Sequence, residues 1–392
     1  MRVLQLHNHH RGPGGAMEVL QHESRLLMGG GHQVRQLTLP SVDELGLPPY
    51  RQGLKAIWNV EFCRELEGEV RAFRPDVVHV HTPFPLMSPA VFRVARRLGV
   101  PTVTTLHSYR YSCIAAICYR DGHECVDCVG KVLKSPGVRH RCYHDSLAGS
   151  AALTVSLALH RGLGTFHRDV GRFVALTDFS RRLLIRDGIP AEKVVVKPNS
   201  VLDPGVRRPD PAAQRYVAFA GRLVEIKGVR TMLDAWQRAD RGDLQLRIAG
   251  DGESRDLVGE RAAADPSIHW EGWISEADIF DLMGHAETVL VPSQWYEGGV
   301  PLVAMRSLAV GTPVVVSDLE NISATVLADD AGVGFRVGNA DSLAAVIDSV
   351  AGDPGSWRER RRKARLSYEQ HYSPTVDLPR LEKVYTELLA GA

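Results

Sequence analysis

Short apolar runs rich in valine, isoleucine and leucine, each closed by a turn and followed by a helical stretch, recur along all 392 residues. This alternation leaves few folds open. Arg2–Leu6 reads as a first strand, Met17–Met28 as a helix and Gln33–Leu39 as the next strand; the beat continues through Asp76–Val80, Thr102–Leu106 and Arg172–Leu176. Strand, helix and strand in succession make βαβ units, and these imply a parallel sheet covered on both faces. The stretch Lys197 to Pro211 carries four prolines in fifteen residues, so it cannot run as helix and reads as a connector. Beyond it the pattern restarts, with strands expected at Tyr216–Ala220, Gln245–Ala249, Ser267–Glu271, Thr288–Val291 and Pro313–Val316.

The chain is long for one hydrophobic core, which again points to two α/β domains. We expect residues 1–200 to form the first, with a cysteine-rich insertion at about 108–145, and residues 201–375 the second. Two such domains are expected to face each other across a cleft lined by the carboxyl ends of their strands. A last helix, 376–392, shows Leu378, Leu381, Val384, Tyr385 and Leu388 at helical spacing, a stripe that needs burying and is expected to pack back on the first domain.

Charge excludes one large class of function. With 47 basic against 46 acidic residues the formal net charge is +1, so the broad basic footprint of a nucleic-acid binder is missing and any phosphate binding must be local. The first residues run from Met1 into Asn8 and further histidines without the apolar core of a secretory signal. The longest apolar stretch, Ala148 to Leu159, falls well short of the ~20 residues needed to cross a bilayer. A cytoplasmic protein is expected, with membrane contact at most peripheral, at the inner face.

Three segments carry candidate chemistry. Gly12-Pro-Gly14-Gly15 follows the first strand and precedes a helix, a place where backbone amides can approach an anion or where the chain merely turns tightly. Phe219-Ala-Gly-Arg222-Leu-Val-Glu-Ile-Lys227-Gly228 ends a strand in glycine and sets two cations five residues apart, a pairing suited to a diphosphate and to the charge that grows on it as it departs. Pro292-Ser-Gln-Trp-Tyr-Glu297-Gly298-Gly299-Val-Pro-Leu302-Val303 ends another strand, places a carboxylate among glycines and opens a helix whose free amides can take phosphate oxygens.

Together with Ile248-Ala-Gly-Asp-Gly252, Gly272-Trp-Ile274 and Gly311-Thr-Pro-Val-Val315, these segments resemble, in order and approximate spacing, the family-4 retaining glycosyltransferases of GT-B fold, whose two domains are Rossmann-like. The resemblance covers nearly the whole chain. It implies transfer of a sugar, with retention, from a nucleoside diphosphate to an acceptor hydroxyl. Gly14 and Gly15 would meet donor phosphate, Arg222 and Lys227 the diphosphate, and Ile274 the base through its backbone. Glu297, with Gly298 and Gly299, would hold the donor sugar, and the amides of Leu302 and Val303 would touch phosphate. His107 matches a histidine beside the transferring sugar, although a lone histidine could equally be structural.

One departure stands out. The family pattern Glu-x7-Glu becomes Glu297-x8-Arg306 here, so the carboxylate that usually holds ribose hydroxyls is replaced by a cation. A guanidinium donates hydrogen bonds but cannot accept two hydroxyl protons. Donor recognition is altered, or the protein is an impaired sugar-nucleotide binder or partner subunit; an epimerase of the same fold is a further alternative. There is no obvious Asp-x-Asp metal clamp, and Arg222 with Lys227 can steady the leaving group, so no catalytic metal is expected. The acceptor, a small molecule, glycan or lipid-linked hydroxyl, is not written in the sequence.

Five of the six cysteines lie between positions 113 and 142. Cys125-Val-Asp-Cys128 is a C-x2-C knuckle, and Cys113 and Cys142 flank it at distances that could complete a four-thiolate structural zinc site, with Cys118 or His123, His140 or His144 as substitutes. Reduced, buried thiols or one redox pair are the plain alternatives. The basic run Lys131, Lys134, Arg139, His140 and Arg141 reads as a solvated face or as an attractor for an anionic acceptor.

Overall fold

The computed structural model describes residues 1–9, 15–208 and 213–391, so Gly14 lies outside the described residues. The chain divides into two compact units, Met1–Asn199 with Asp377–Ala392, and Ser200–Val376.

Unit 1 is built on a six-stranded parallel sheet. Its strands are β1 (Arg2–Asn8), β2 (Gln33–Leu39), β3 (Val77–Thr82) and β4 (Thr102–Thr105), then, beyond a small antiparallel hairpin β5 (Tyr119–Arg120) and β6 (His123–Glu124), β7 (Arg172–Ala175) and β8 (Val194–Val196). The order across the sheet is β2-β1-β3-β4-β7-β8. Leu4, Leu6, Val78 and Val80 face one apolar core with Phe62, Leu66 and Phe92, whereas Val3, Val77, Val103 and Val174 face a second one with Leu27, Leu381, Val384, Tyr385 and Leu388. The stripe of the last helix, Pro374–Ala390, therefore covers the sheet of unit 1. Lys197, at the start of the proline-rich stretch, is not connector at all. It is buried with its Nζ 2.6 Å from Asp377 Oδ1, a charge pair that ties the last helix to the end of β8.

Unit 2 repeats the plan with β9 (Tyr216–Ala220), β10 (Gln245–Ala249), β11 (Ile268–Gly272), β12 (Thr288–Val291), β13 (Val314–Ser317) and β14 (Gly332–Phe335), ordered β11-β10-β9-β12-β13-β14 and parallel throughout. Strands β9, β12 and β13 are buried along their whole length, as strands covered on both faces must be. Trp236 and Trp357 are fully buried against this core. Among the described residues no helix is long and apolar enough to cross a membrane.

Two glycines lock the loops at the carboxyl ends of these strands. Gly228 has φ +74°, and a Cβ there would lie 1.9 Å from the carbonyl oxygen of Pro292, so the loop after β9 touches the backbone that leaves β12. Gly250, φ +137°, would place a Cβ 1.9 Å from the carbonyl oxygen of Gly221. Only glycine tolerates both the dihedral angle and the contact. The Gly228→Ala variant should lose about 2–4 kcal/mol of unit 2 stability; a denaturant-unfolding midpoint equal to wild type would show that the contact can be relieved cheaply.

Candidate functional site

In unit 2 the strand order turns back between β9 and β12: β10 and β11 lie to one side, β13 and β14 to the other. Such a switch point opens a crevice at the carboxyl ends of the two flanking strands, and doubly wound sheets take their ligands there. Both sequence motifs of unit 2 begin at those ends. β9 runs through Gly221 and Arg222 into a short 3-10 turn, Glu225–Lys227, and β12 runs into the segment of Ser293, Trp295 and Glu297.

The structure brings Lys227 and Glu297 together. Lys227 Nζ donates to Glu297 Oε1, and Ser293 Oγ donates to the same oxygen at 2.9 Å. Asn321 Nδ2 fixes the backbone carbonyl of Glu297 at 2.6 Å, and the Trp295 ring lies 5.8 Å from the ammonium. Glu297 and Lys227 keep 13% and 18% of their side-chain surface exposed, so the carboxylate is held in place while still reachable. An ammonium has three donors, and one bond to Glu297 leaves others for phosphate oxygens. Arg222 is exposed, and its guanidinium bonds to none of the described residues. Gly298 and Gly299 lead to the helix Leu302–Ala309, whose preceding residue Pro301 provides no side-chain cap, so the first amides, those of Leu302 and Val303, have no side-chain acceptor.

Arg306 pairs with an acid on a neighbouring helix. Its Nη2 donates to Glu276 Oε1 at 2.8 Å, and its guanidinium lies 5.9 Å from the Phe280 ring. Glu276 opens the helix Glu276–His285, two residues after the half-buried Ile274, and is 59% exposed while Arg306 is 15% exposed. A carboxylate thus stands beside position 306 after all, supplied by a neighbouring helix. Sequence reasoning missed Glu276 and Asn321 because their partners lie 30 and 24 positions away, and Ser293, four residues before Glu297, because a lone serine at a strand end carries no signal of its own.

In unit 1 a cavity of about 230 Å³ lies at the ends of β3 and β4. His81, Thr82 and His107 line it from the strand ends, and Arg110, Tyr143 and His144 from the cysteine-rich segment. Asn8 stitches the surrounding loops, its Nδ2 donating to Leu39 O at 3.2 Å and its Oδ1 accepting from Leu86 N at 2.7 Å. Gly15 opens the helix Gly15–Gly29 that follows β1. From that helix the buried Glu23 reaches into the sheet, where Gln5 Nε2 and His81 Nε2 each come within 3.1 Å of its Oε1 and His79 Nδ1 within 3.0 Å. His81 Nδ1 is in turn 3.0 Å from His107 Nε2. The sequence gives a faint signal for this in the alternation His79-Val-His81, since residues two apart in a strand share a face.

Burial opposes the charge on Glu23, but His79 and His81 beside it outweigh that and hold its carboxyl well below the usual range. Burial also pushes the His79 imidazole down to about 4, and it pushes His107 well down too, with His81 and His7 adding to the effect. Glu23, His79 and His81 have ligand atoms all within 4.8 Å of one another, the one such group among the described residues. Those atoms are already taken up in hydrogen bonds.

The cysteine-rich segment is anchored by a buried charge cluster. Lys134, read from sequence as part of a basic face, is fully buried: its Nζ lies 2.6 Å from Asp187 Oδ1 and 3.0 Å from Cys128 O, and Arg161 pairs with the other carboxylate oxygen. Lys131, Arg139, His140 and Arg141 are exposed. Cys113, Cys125, Cys128 and Cys142 line one small cavity. A hydrogen bond from the Cys118 thiol holds the Cys113 thiol down to about 6 against the opposing effect of burial, while burial raises Cys125, Cys128 and Cys142.

Two six-stranded parallel-sheet α/β units are the plan of the GT-B architecture, and the comparisons with known proteins agree. Residues 14–200 match the glycosyl transferase 4-like domain, and residues 214–353 match glycosyl transferases group 1. The chain belongs to the family-4 glycosyltransferases of GT-B fold. A glycogen synthase of Mycobacterium tuberculosis is 29% identical over 310 residues, a match that takes in 76% of this chain and 65% of that protein. A phosphatidyl-myo-inositol mannosyltransferase of Mycobacterium leprae is 24% identical over 95% of this chain and 93% of its own. Among solved structures, Anabaena Alr3699/HepE in complex with UDP superposes with a TM-score of 0.70 at 17% identity, covering 99% of this chain and 100% of that one. Sucrose-phosphate synthase from Thermosynechococcus elongatus superposes with a TM-score of 0.71 at 15% identity, covering both chains fully (100% each).

A pH dependence follows from the histidines of unit 1. His79 titrates at about 4 in the fold and near its ordinary 6.5 when unfolded, so between these values the unfolded chain binds more protons and stability falls as pH falls. The lowered Glu23 carboxyl acts in the same direction at lower pH, its stabilisation being lost as it protonates. The denaturation midpoint of unit 1 should therefore drop as pH goes from 7 to 4, and a flat profile would contradict the burial of neutral His79.

Proposed function

We propose that this chain transfers a sugar from a nucleoside diphosphate sugar to an acceptor hydroxyl, with retention of anomeric configuration and without a catalytic metal. The observation that carries the proposal is the Lys227, Ser293 and Glu297 constellation at the β9/β12 switch point, with Arg222 exposed at the end of the same strand. Lys227 and Arg222 neutralise the diphosphate as it leaves, doing the work a divalent ion would otherwise do, and the amides of Leu302 and Val303 add donors to phosphate oxygens. Glu297 accepts hydrogen bonds from donor-sugar hydroxyls, the backbone at Ile274 takes the base, and Gly14 and Gly15 approach the donor phosphate. The acceptor hydroxyl loses its proton late, to a phosphate oxygen of the departing group. Uridine diphosphate sugars are the first donors to try, since UDP is bound in the HepE structure.

Arg306 favours a working enzyme over an impaired binder. Because it holds Glu276 beside it, a carboxylate that can accept both ribose hydroxyl protons is still present. Unit 1 supplies the acceptor pocket around His107, with the cysteine-rich segment forming part of its wall, and a glycan or lipid-linked hydroxyl is the acceptor class.

Retention is tested by the anomeric signals of the product, and metal independence by full activity in excess chelator. Glu297→Gln and Arg222→Ala should each lower transfer at least about a hundredfold with melting unchanged. UDP-glucose should raise the melting temperature of wild type and do so less for Arg222→Ala. Wild-type rates in both variants would remove the assignment.

We also propose a structural zinc at Cys113, Cys125, Cys128 and Cys142, whose soft thiols line one cavity; their sulfurs do not meet the close spacing of Glu23, His79 and His81, so the ion would have to draw them together. Elemental analysis of protein purified without added metal should give about one zinc per chain, and a metal-free, fully folded protein would end the idea.

A further inference from the structure

His107 does not meet the cavity alone, and the hydrogen bonds behind it fix which of its nitrogens carries the proton. The chain begins at Glu23, whose carboxylate can only accept. His81 Nε2, 3.1 Å from Glu23 Oε1, must therefore bear a hydrogen. A neutral His81 then has its lone pair on Nδ1, and that atom lies 3.0 Å from His107 Nε2. His107 Nε2 donates to it, which leaves the lone pair of His107 on Nδ1. The two ring planes are nearly parallel, 15° apart, with centroids at 5.2 Å. His107 is half-buried, lines the 230 Å³ cavity, and its Nδ1 bonds to none of the described residues.

We propose that Glu23 and His81 are positioning residues that lock His107 in the tautomer protonated at Nε2, so that Nδ1 is offered to the cavity as an acceptor for a hydroxyl of a sugar or polyol. This rests on reading unit 1 as the acceptor side. The cavity is smaller than the ~300 Å³ at which drug-sized pockets begin, which suits a single sugar ring rather than a whole nucleotide sugar.

The fold is built to hold the relay still. β3 carries one residue more than β1 at this step, since Leu6 pairs with Val80 but His7 pairs with Thr82, and the extra residue is His81. A bulge of this kind re-aims a side chain. Glu23 itself is steadied by Gln5 and by His79, and His79 is pinned in turn by Tyr385 OH at 2.7 Å and Thr105 Oγ1 at 2.8 Å. The same three groups, Glu23, His79 and His81, could in principle grip a metal ion. A cation there would have to displace the Gln5 donor and sit close to Lys197, whose Nζ is 3.9 Å from Glu23 Oε2. Proton ordering is the use these contacts favour.

The test uses the full chain with 15N-labelled histidine and long-range 1H–15N correlation near neutral pH, with no substrate added; the His107 signals are assigned by their loss in His107→Gln. Wild type should show a protonated Nε2 and an unprotonated Nδ1 at His107. In His81→Phe the two nitrogens should move toward averaged shifts, and transfer should slow at least about tenfold with the donor KM unchanged. The opposite tautomer or an imidazolium at His107 or His81 in wild type would overturn the proposal, as would a stoichiometric divalent metal that is retained in Cys125→Ser but lost in Glu23→Gln, because it would sit on Glu23, His79 and His81. A His81→Phe protein that keeps the wild-type tautomer, or that transfers at the wild-type rate, would overturn it too. Should that variant not fold, the wild-type spectrum decides by itself. A wild type inactive with every donor would sink the transferase reading and leave the spectrum to judge the relay.

Discussion

A parallel sheet covered on both faces leaves its strands little room for charged side chains, and that constraint shapes everything else in this protein. β9, β12 and β13 are buried end to end, so charged groups that must meet a ligand are pushed to where the strands stop. Lys227 and Glu297 stand at the two strand ends that flank the switch point, and the bond between them depends on how closely their loops approach. Gly228 sets that approach by letting one backbone lie against Pro292. The site is a product of the packing: remove the close contact of the loops and the carboxylate and ammonium no longer share a place.

Unit 1 holds a polar network inside its sheet, and that network is informative. Gln5, His79 and His81 lie inside strands and are buried, yet they make hydrogen bonds centred on Glu23. Burying an ionised carboxylate costs several kcal/mol unless donors surround it, and here Gln5 and two imidazoles do so. Apolar residues would fill the same space at lower cost. A network retained against that cost, and ending on a histidine that lines a cavity, is better explained by what it does for His107 than by stability. Lys134, Asp187 and Arg161 form a second buried cluster, which fastens the cysteine-rich segment to the rest of unit 1.

Periodicity made most of the sheet strands legible in the sequence. Gln33–Leu39, Tyr216–Ala220, Gln245–Ala249 and Thr288–Val291 were read to the residue, and others to within a residue or two. Val194–Val196 and Gly332–Phe335 escaped, being short, and the second carries two glycines that weaken a strand signal. Proline density describes the stretch after Lys197, not the residue that opens it, which is why Lys197 looks like connector in the sequence and is buried in the fold. Lys134 was misread because a lysine among basic neighbours looks solvated, and its partner Asp187 is 53 positions away. Local pattern records the period of burial; it does not record which distant charge will fold against a given side chain.

Arg306 shows how far that limit reaches. Read alone, it deletes a carboxylate from a place where the family keeps one and suggests a damaged site. In the fold its guanidinium is mostly buried and holds the carboxylate of Glu276, which remains largely exposed. The Arg306–Glu276 pair keeps a negative oxygen beside the helix Leu302–Ala309 and adds a clamp to the loop that carries Ile274. The local charge sum falls by one negative unit relative to a bare glutamate, which favours an anionic ligand nearby. On the proposed reading, the substitution trades direct ribose contact from one helix for contact from its neighbour, with the nucleotide held by a carboxylate that Arg306 positions and does not replace.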